Sequence, residues 1–300
     1  MNKSGAVGFG VWVEASRPKT LPAAVAPVLV ASALAYHDGG FHFWAATVCL
    51  AFALLIQIGT NYANDYFDFL KGADTEERVG PRRAVAAGLI APATMKRAMG
   101  TVFTLAFLVG LWLLNFGGWP LLVIGVVSIL SGILYTGGPY PLAYHGWGDV
   151  FVFVFFGVVA VTATYFVQTG VVSVEAWALG GGIGGLATNI LVVNNYRDVD
   201  TDRKAEKRTL VVRWGRTYAQ IQFAAAHLLM LAVMGGLAWR NYLPMVSAIL
   251  LAGFVGIVGG IQTVKLRQSK TAVQLIDLLG QTGRHAAMVA LAISLGLVLQ

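Results

Sequence analysis

Nine of the 14 acidic residues in this 300-residue chain fall in two short segments: Asp65, Asp68, Asp74, Glu76 and Glu77, then Asp198, Asp200, Asp202 and Glu206. Each segment opens on asparagines. The first reads Asn61-Tyr-Ala-Asn64-Asp65-Tyr-Phe-Asp68, and the second Asn194-Asn195-Tyr-Arg-Asp198-Val-Asp200-Thr-Asp202. On a helix Asn61, Asn64 and Asp68 recur at i, i+3 and i+7 and share one face, with Asp65 about 100° round from Asn64. Asn195, Asp198 and Asp202 repeat that spacing. Two facing stripes of amide and carboxylate oxygens suit a hard divalent cation such as Mg²⁺, which binds through a few carboxylates, retained waters and substrate phosphates. Basic residues trail both stripes: Arg78, Arg82 and Arg83 after the first, Arg203, Lys204, Lys207 and Arg208 after the second. Acid and base mixed in this way suit a metal-bridged diphosphate, whose remaining oxygens need arginine or lysine donors. Carboxylates at the edge of apolar sequence are costly and point to function. The basic residues alone are equally well explained as loops held on the cytoplasmic side.

The elements that must hold these stripes are apolar. The chain is 57% hydrophobic and 12% charged, with a mean hydropathy of +0.70; an average soluble domain is about 25% charged. The composition predicts an all-α integral membrane fold, one polytopic domain over residues 1–300. Apolar runs place transmembrane helices at 21–37, 44–66, 97–115, 119–136, 147–168, 174–194, 218–239, 242–263 and 284–300, about nine in all. Pro22 and Pro27 are expected to kink the first. No cleavable signal is read in Met1–Thr20, which holds Lys3, Glu14, Arg17 and Lys19. With odd-numbered spans running outward, 20 of the 21 Lys and Arg residues fall on the N-terminal side and only Arg240 opposes them. The N-terminus and both acidic segments are thus expected on the cytoplasmic face of a bacterial inner membrane. The net charge of +7 is then a loop bias and calls for no nucleic acid. Gly181–Gly185 and Gly256–Gly260 have the spacing that lets helices approach closely in lipid, whether within one chain or in a homo-oligomer. The single Cys49 excludes a disulfide framework. An ion-coupled transporter is the reading from a different class, but its acids would lie near mid-membrane at broken helices, and these cluster at helix ends.

These residues resemble the UbiA superfamily of intramembrane aromatic prenyltransferases, in which a nine-helix bundle carries Asp-rich motifs on its second and sixth helices. Asn64-Asp65-x-x-Asp68 is similar to the first motif, although Gly72 stands where a further Asp is usual and Asp74 follows two residues later. Asn195-x-x-Asp198-x-x-x-Asp202 is similar to the second. The resemblance implies Asp65, Asp68, Asp198 and Asp202 as catalytic acids, and Asn64, Asp68, Asp74, Asn195, Asp198 and Asp202 as Mg²⁺ ligands. It also implies that Arg78, Arg82, Arg83, Lys207, Arg208, Arg17, Lys19, Asn61 and Tyr135 bind substrate and cofactor, with Arg17 or Lys19 on the acceptor carboxylate. Several further stretches resemble the menaquinone branch: Arg17–Pro22, Asp74–Pro81, Tyr135–Pro139, Asp149–Gly170 and Asn194–Asp198 with Lys207–Leu210. Many superfamily members carry a Lys in the loop between the fourth and fifth helices, and Tyr135–Asp149 has none, which disfavours the 4-hydroxybenzoate branch. The branch implies a polyprenyl diphosphate donor drawn from the lipid phase, 1,4-dihydroxy-2-naphthoate as acceptor, and loss of diphosphate and CO₂. An allylic cation needs a dry cavity with aromatic faces, for which Tyr62, Phe67, Tyr135, Tyr140, Tyr165 and Tyr196 are candidates.

Overall fold

A backbone surrounded by lipid must satisfy its hydrogen bonds within itself, so apolar runs of this length fold as helices. The computed structural model describes residues 7–73, 80 and 82–300, and every regular element among them is helical. A short α1 (Phe9–Ala15) precedes α2 (Pro22–His37), α3 (Phe43–Leu70), α4 (Pro92–Gly117) and α5 (Trp119–Leu134). Then α6 (Gly148–Phe153), a π turn (Val154–Val159) and α7 (Ala160–Thr169) run end to end as one rod. They are followed by α8 (Val174–Arg197), the short α9 (Val199–Lys204), α10 (Leu210–Trp239), α11 (Met245–Gln268) and α12 (Ala272–Val298).

Every expected span overlaps one of these helices or rods, overrunning its ends by at most about three residues, and the chain is a multi-pass membrane protein. Six of them are long and apolar enough to cross a membrane. The pair Phe9–Thr20 and Pro22–His37, bent by 54°, makes a seventh among the described residues. The others fall short for physical reasons: α5 has only 16 residues, and α12 carries Asp277, Arg284 and His285 in its first half. Two helices begin well before their expected spans. The Thr271 side chain and Gln274 form a capping box that starts α12 at Ala272. Thr209 accepts from the Val212 N–H at 3.3 Å and starts α10 at Leu210, although Gly215, at φ +83°, breaks that first stretch from the rest.

A chain that crosses a membrane and returns must alternate direction, so successive rods run antiparallel. The C-terminal ends of α3 and α8, which carry the two acidic stripes, therefore share one end of the bundle with the starts of α4, α6 and α10. At the opposite end Trp44, Trp119, Trp177 and Trp239 are exposed, as in an aromatic belt at a membrane surface. The central helix is α8, with 78% of its apolar window buried. Close approach to it uses a different register of glycines from the expected one. A Cβ at Gly157 would overlap the backbone of Gly184, and one at Gly180 would lie 2.9 Å from Val158 Cα. Gly181 faces open space, and so do Gly256 and Gly260; on α11 it is Gly259 that packs, against His227.

Candidate functional site

The first stripe occupies the last turns of α3, which is capped by Lys71 and closed by Gly72 at φ +66°. Asn61 Nδ2 donates to Ser16 O at 2.8 Å and to Thr20 Oγ1 at 3.2 Å, tying α3 to the turn between α1 and α2. Asn64 Oδ1 accepts from Thr136 Oγ1 at 2.9 Å. Asp65, off the stripe as its spacing requires, accepts from the backbone N–H groups of Ala84 at 2.9 Å and Val85 at 3.2 Å. Its buried carboxylate thus holds the returning loop on the helix end. Asp68 accepts from Arg83 Nη2 and from the Tyr144 hydroxyl, each at 2.9 Å. Arg82 beside it is exposed. Asp74 and Arg78 lie outside the described residues.

The second stripe spans the end of α8 and the start of α9. Asn195 is buried, Asp198 accepts both arms of Arg197 at 2.7 and 2.6 Å, and Asp202 lies 3.7 Å from Lys207 Nζ. The two stripes meet over one side chain. Lys207 Nζ stands 5.5 Å from the centre of the Tyr144 ring and Lys71 Nζ stands 4.6 Å from it, while the Tyr144 hydroxyl bonds Asp68. The charges of Asp68, Asp149 and Asp202 all reach the Tyr135 hydroxyl. Partial burial pulls the Lys71 ammonium below the ordinary lysine range, against the opposing influence of Asp68. Not everything converges. Asp198 is engaged by its own neighbour, and Lys19 and Arg208 are exposed. Arg208 meets the group through its backbone, donating to Tyr144 O at 2.8 Å.

Beneath this polar end lies a cavity of about 260 Å³. Along α3 its wall runs from Asn64 down to Cys49, a distance of about 22 Å at 1.5 Å per residue. Arg17, Asn61, Asn64, Tyr135 and Asn194 line it at the acidic end, and most of the remaining wall is apolar. Arg17 sits in the left-handed region at φ +52°, a costly conformation for a non-glycine residue and one that functional sites tend to retain. Of the aromatic residues named from sequence, Tyr135 alone lines the cavity. Tyr165 donates to Asp38 at the opposite end, Tyr62 packs on Trp12, Tyr140 stacks on His145 and Tyr196 accepts from Gln220. The cavity's aromatic faces are instead Phe52, Phe151, Phe155 and Phe156. The last two belong to the π turn, whose extra residue shifts the side-chain register, a device frequent at functional sites.

The profile of the UbiA prenyltransferase family matches residues 24–279. The chain belongs to that family. It is 35% identical over 303 residues to a 1,4-dihydroxy-2-naphthoate octaprenyltransferase of Haemophilus influenzae, with 96% of each chain covered. A protein of the same name from Mycobacterium tuberculosis is 36% identical over 287 residues, covering 95% of this chain and 96% of its own. A UbiA homologue from Archaeoglobus fulgidus, solved with GPP and Mg²⁺ bound, has the same fold, with a TM-score of 0.70 over 97% of this chain and 100% of that one at 14% identity.

The fit of a divalent cation to this UbiA site rests on its donors. Among the described residues no three Asp, Glu, His or Cys side chains cluster to hold a metal unaided. The set at hand is Asp68, Asp202 and the asparagine amides, all hard oxygens around a shared polar end. It fits Mg²⁺, which needs only one or two carboxylates when substrate phosphates complete its shell. Two residues at this end were not named from sequence. Lys71 was discoverable, since it lies three residues past Asp68 on the same helix face. Tyr144 carries no local signal, because only the fold brings the 142–145 turn over α3.

Proposed function

We propose that this chain transfers a polyprenyl group from its diphosphate to 1,4-dihydroxy-2-naphthoate, releasing diphosphate and CO₂ in the menaquinone pathway, with Mg²⁺ as cofactor. The observation that carries prenyl transfer is the apolar, phenylalanine-faced cavity whose polar end is lined by Asn61 and Asn64 of the first stripe and by Asn194, next to the second. The acceptor is supported by the likeness to the two full-length relatives. Bound Mg²⁺ would neutralise charge on the leaving diphosphate, with Asp68, Asp202 and the amides of Asn64 and Asn195 as the residues to hold it, and Asp198 joining them when it releases Arg197. Lys71, Arg83 and Lys207 supply cationic donors to the remaining oxygens. The allylic C–O bond breaks with its electron pair leaving on diphosphate, and the phenylalanine faces shield the developing cation from water. The ring carbon bearing the carboxylate then forms the new C–C bond. Loss of CO₂ returns the electron pair of the broken bond to the ring, so no ring proton needs a general base. Arg17, on the cavity wall at its acidic end, would hold the acceptor carboxylate.

The test is competition between equal concentrations of 1,4-dihydroxy-2-naphthoate and 4-hydroxybenzoate, each ¹⁴C-labelled in its carboxyl group, with geranyl diphosphate and Mg²⁺. The expected result is naphthoate consumption with label released as CO₂. A bicyclic acceptor buries more apolar area, at about 25 cal/mol per Å², than a single ring does. Label kept in the lipid product, with 4-hydroxybenzoate preferred, refutes the assignment.

A further inference from the structure

We propose that Tyr144 is a positioning residue that gathers Lys71 and Lys207 into a single clamp for the donor's diphosphate. The inference rests on the prenyl-transfer reading and adds to it the residue that assembles the anion site. The two lysines come from distant parts of the chain, one just past each acidic stripe. Both ammonium groups nevertheless stand within cation–π range of one ring, at 4.6 and 5.5 Å from its centre. Two like charges drawn together are unfavourable unless something offsets them. Asp202, 3.7 Å from Lys207 Nζ, offsets part of that cost, and the Tyr144 ring face adds to that offset on both lysines without carrying a charge that would compete for phosphate. Its hydroxyl meanwhile fixes Asp68 at 2.9 Å, so one side chain sets both a candidate metal ligand and two cations.

The turn that carries Tyr144 is itself fastened at both sides. Tyr144 N donates to Pro141 O at 3.1 Å, and Tyr144 O accepts from Arg208 N, the residue next to Lys207. Gly146, at φ +79°, closes the turn where a Cβ would press to 2.9 Å on Arg208 O. Lys71 reaches the same place by donating to Thr136 O. Two ammonium groups held against one ring suit two linked phosphates, each being a compact donor to phosphate oxygen.

The experiment is calorimetric titration of the detergent-purified protein with inorganic pyrophosphate and Mg²⁺, alongside steady-state kinetics with geranyl diphosphate. Tyr144→Leu should weaken pyrophosphate binding and raise the donor KM about tenfold, the effect of losing partly desolvated cation–π contacts, with the acceptor KM unchanged. Lys71→Met should act similarly, and adding it to Tyr144→Leu should cost at most about threefold more, because neighbours sharing one partner are not additive. Tyr144→Phe keeps the ring, so pyrophosphate binding should stay near wild type while kcat falls through Asp68. Wild-type affinity in Tyr144→Leu, fully additive losses, or an acceptor KM that rises with the donor KM overturns the proposal. If Tyr144→Leu does not fold, the Tyr144→Phe background decides, since the full effect of Lys71→Met must persist there and its disappearance overturns the clamp. Pyrophosphate binding that follows this pattern in a protein that prenylates no aromatic acid would defeat the functional reading and leave the clamp standing.

Discussion

Neighbouring carboxylates of the first acidic segment make different contacts. Asp65 spends both oxygens on backbone N–H groups of the returning loop, whereas Asp68 faces Arg83 and Tyr144 at the polar end. Asp65→Asn can accept only through one oxygen, and leaving a buried N–H unpaired should lower stability by about 1–3 kcal/mol, read as an earlier thermal transition in detergent. Asp68→Ala and Asp198→Ala should instead leave the protein in the membrane and reduce kcat by roughly 10²-fold or more, the scale seen when a group stabilising transition-state charge is removed. Near-normal turnover of either at saturating Mg²⁺ would count against the two-stripe site. The i, i+3, i+7 spacing made Asn61, Asn64 and Asp68 legible in sequence as one face. The separate employment of Asp65 was legible only in its angle round the helix, because its partners lie about one loop away and no local pattern names them.

Helices themselves were legible through apolar length, and their ends less so. The start of α12 depends on the Thr271–Gln274 capping box and the break in α10 on one glycine conformation, and neither raises hydropathy. The glycine register was misread for a related reason. Gly180, Gly181, Gly182, Gly184 and Gly185 offer two four-residue spacings, Gly180–Gly184 and Gly181–Gly185, and only the neighbouring rod decides which face is used. Gly157→Leu should therefore overpack the crossing of the π turn on α8, costing about 1–3 kcal/mol or more. Gly256→Leu on α11, with open space around it, should stay within about 0.5 kcal/mol. Thermal unfolding of the two variants in one detergent makes the comparison, and equal effects would argue against this packing. The cavity gives a second expectation for this scale. Ala53→Trp would plug the apolar wall below Phe52, so geranyl diphosphate should remain a donor while longer polyprenyl diphosphates lose kcat/KM, measured by competing the two lengths.

For the molecule as a whole, composition announced a membrane bundle, and the antiparallel succession of rods explains why two stripes about 130 residues apart in sequence share one end. Parity does the work: each stripe closes a helix that runs in the same direction. Which side of the membrane that end faces is set by the charge of the loops and not by the packing of the rods. We propose that it is the cytoplasmic side, with nine crossings, because every Lys and Arg among the described residues except Arg240 lies in a loop at the acidic end or on the half of a helix nearest it. In a Cys49→Ser background, Lys204→Cys lies on exposed α9 near the second stripe, and Gln300→Cys lies at the exposed end of the chain beyond α12. An impermeant maleimide applied to intact cells should label Gln300→Cys alone, and Lys204→Cys should react only in inverted vesicles. An even number of crossings between the two positions would put both cysteines on the same side, so labelling of the pair from one face would overturn the three crossings of α10, α11 and α12, and labelling of Lys204→Cys alone in intact cells would reverse the orientation.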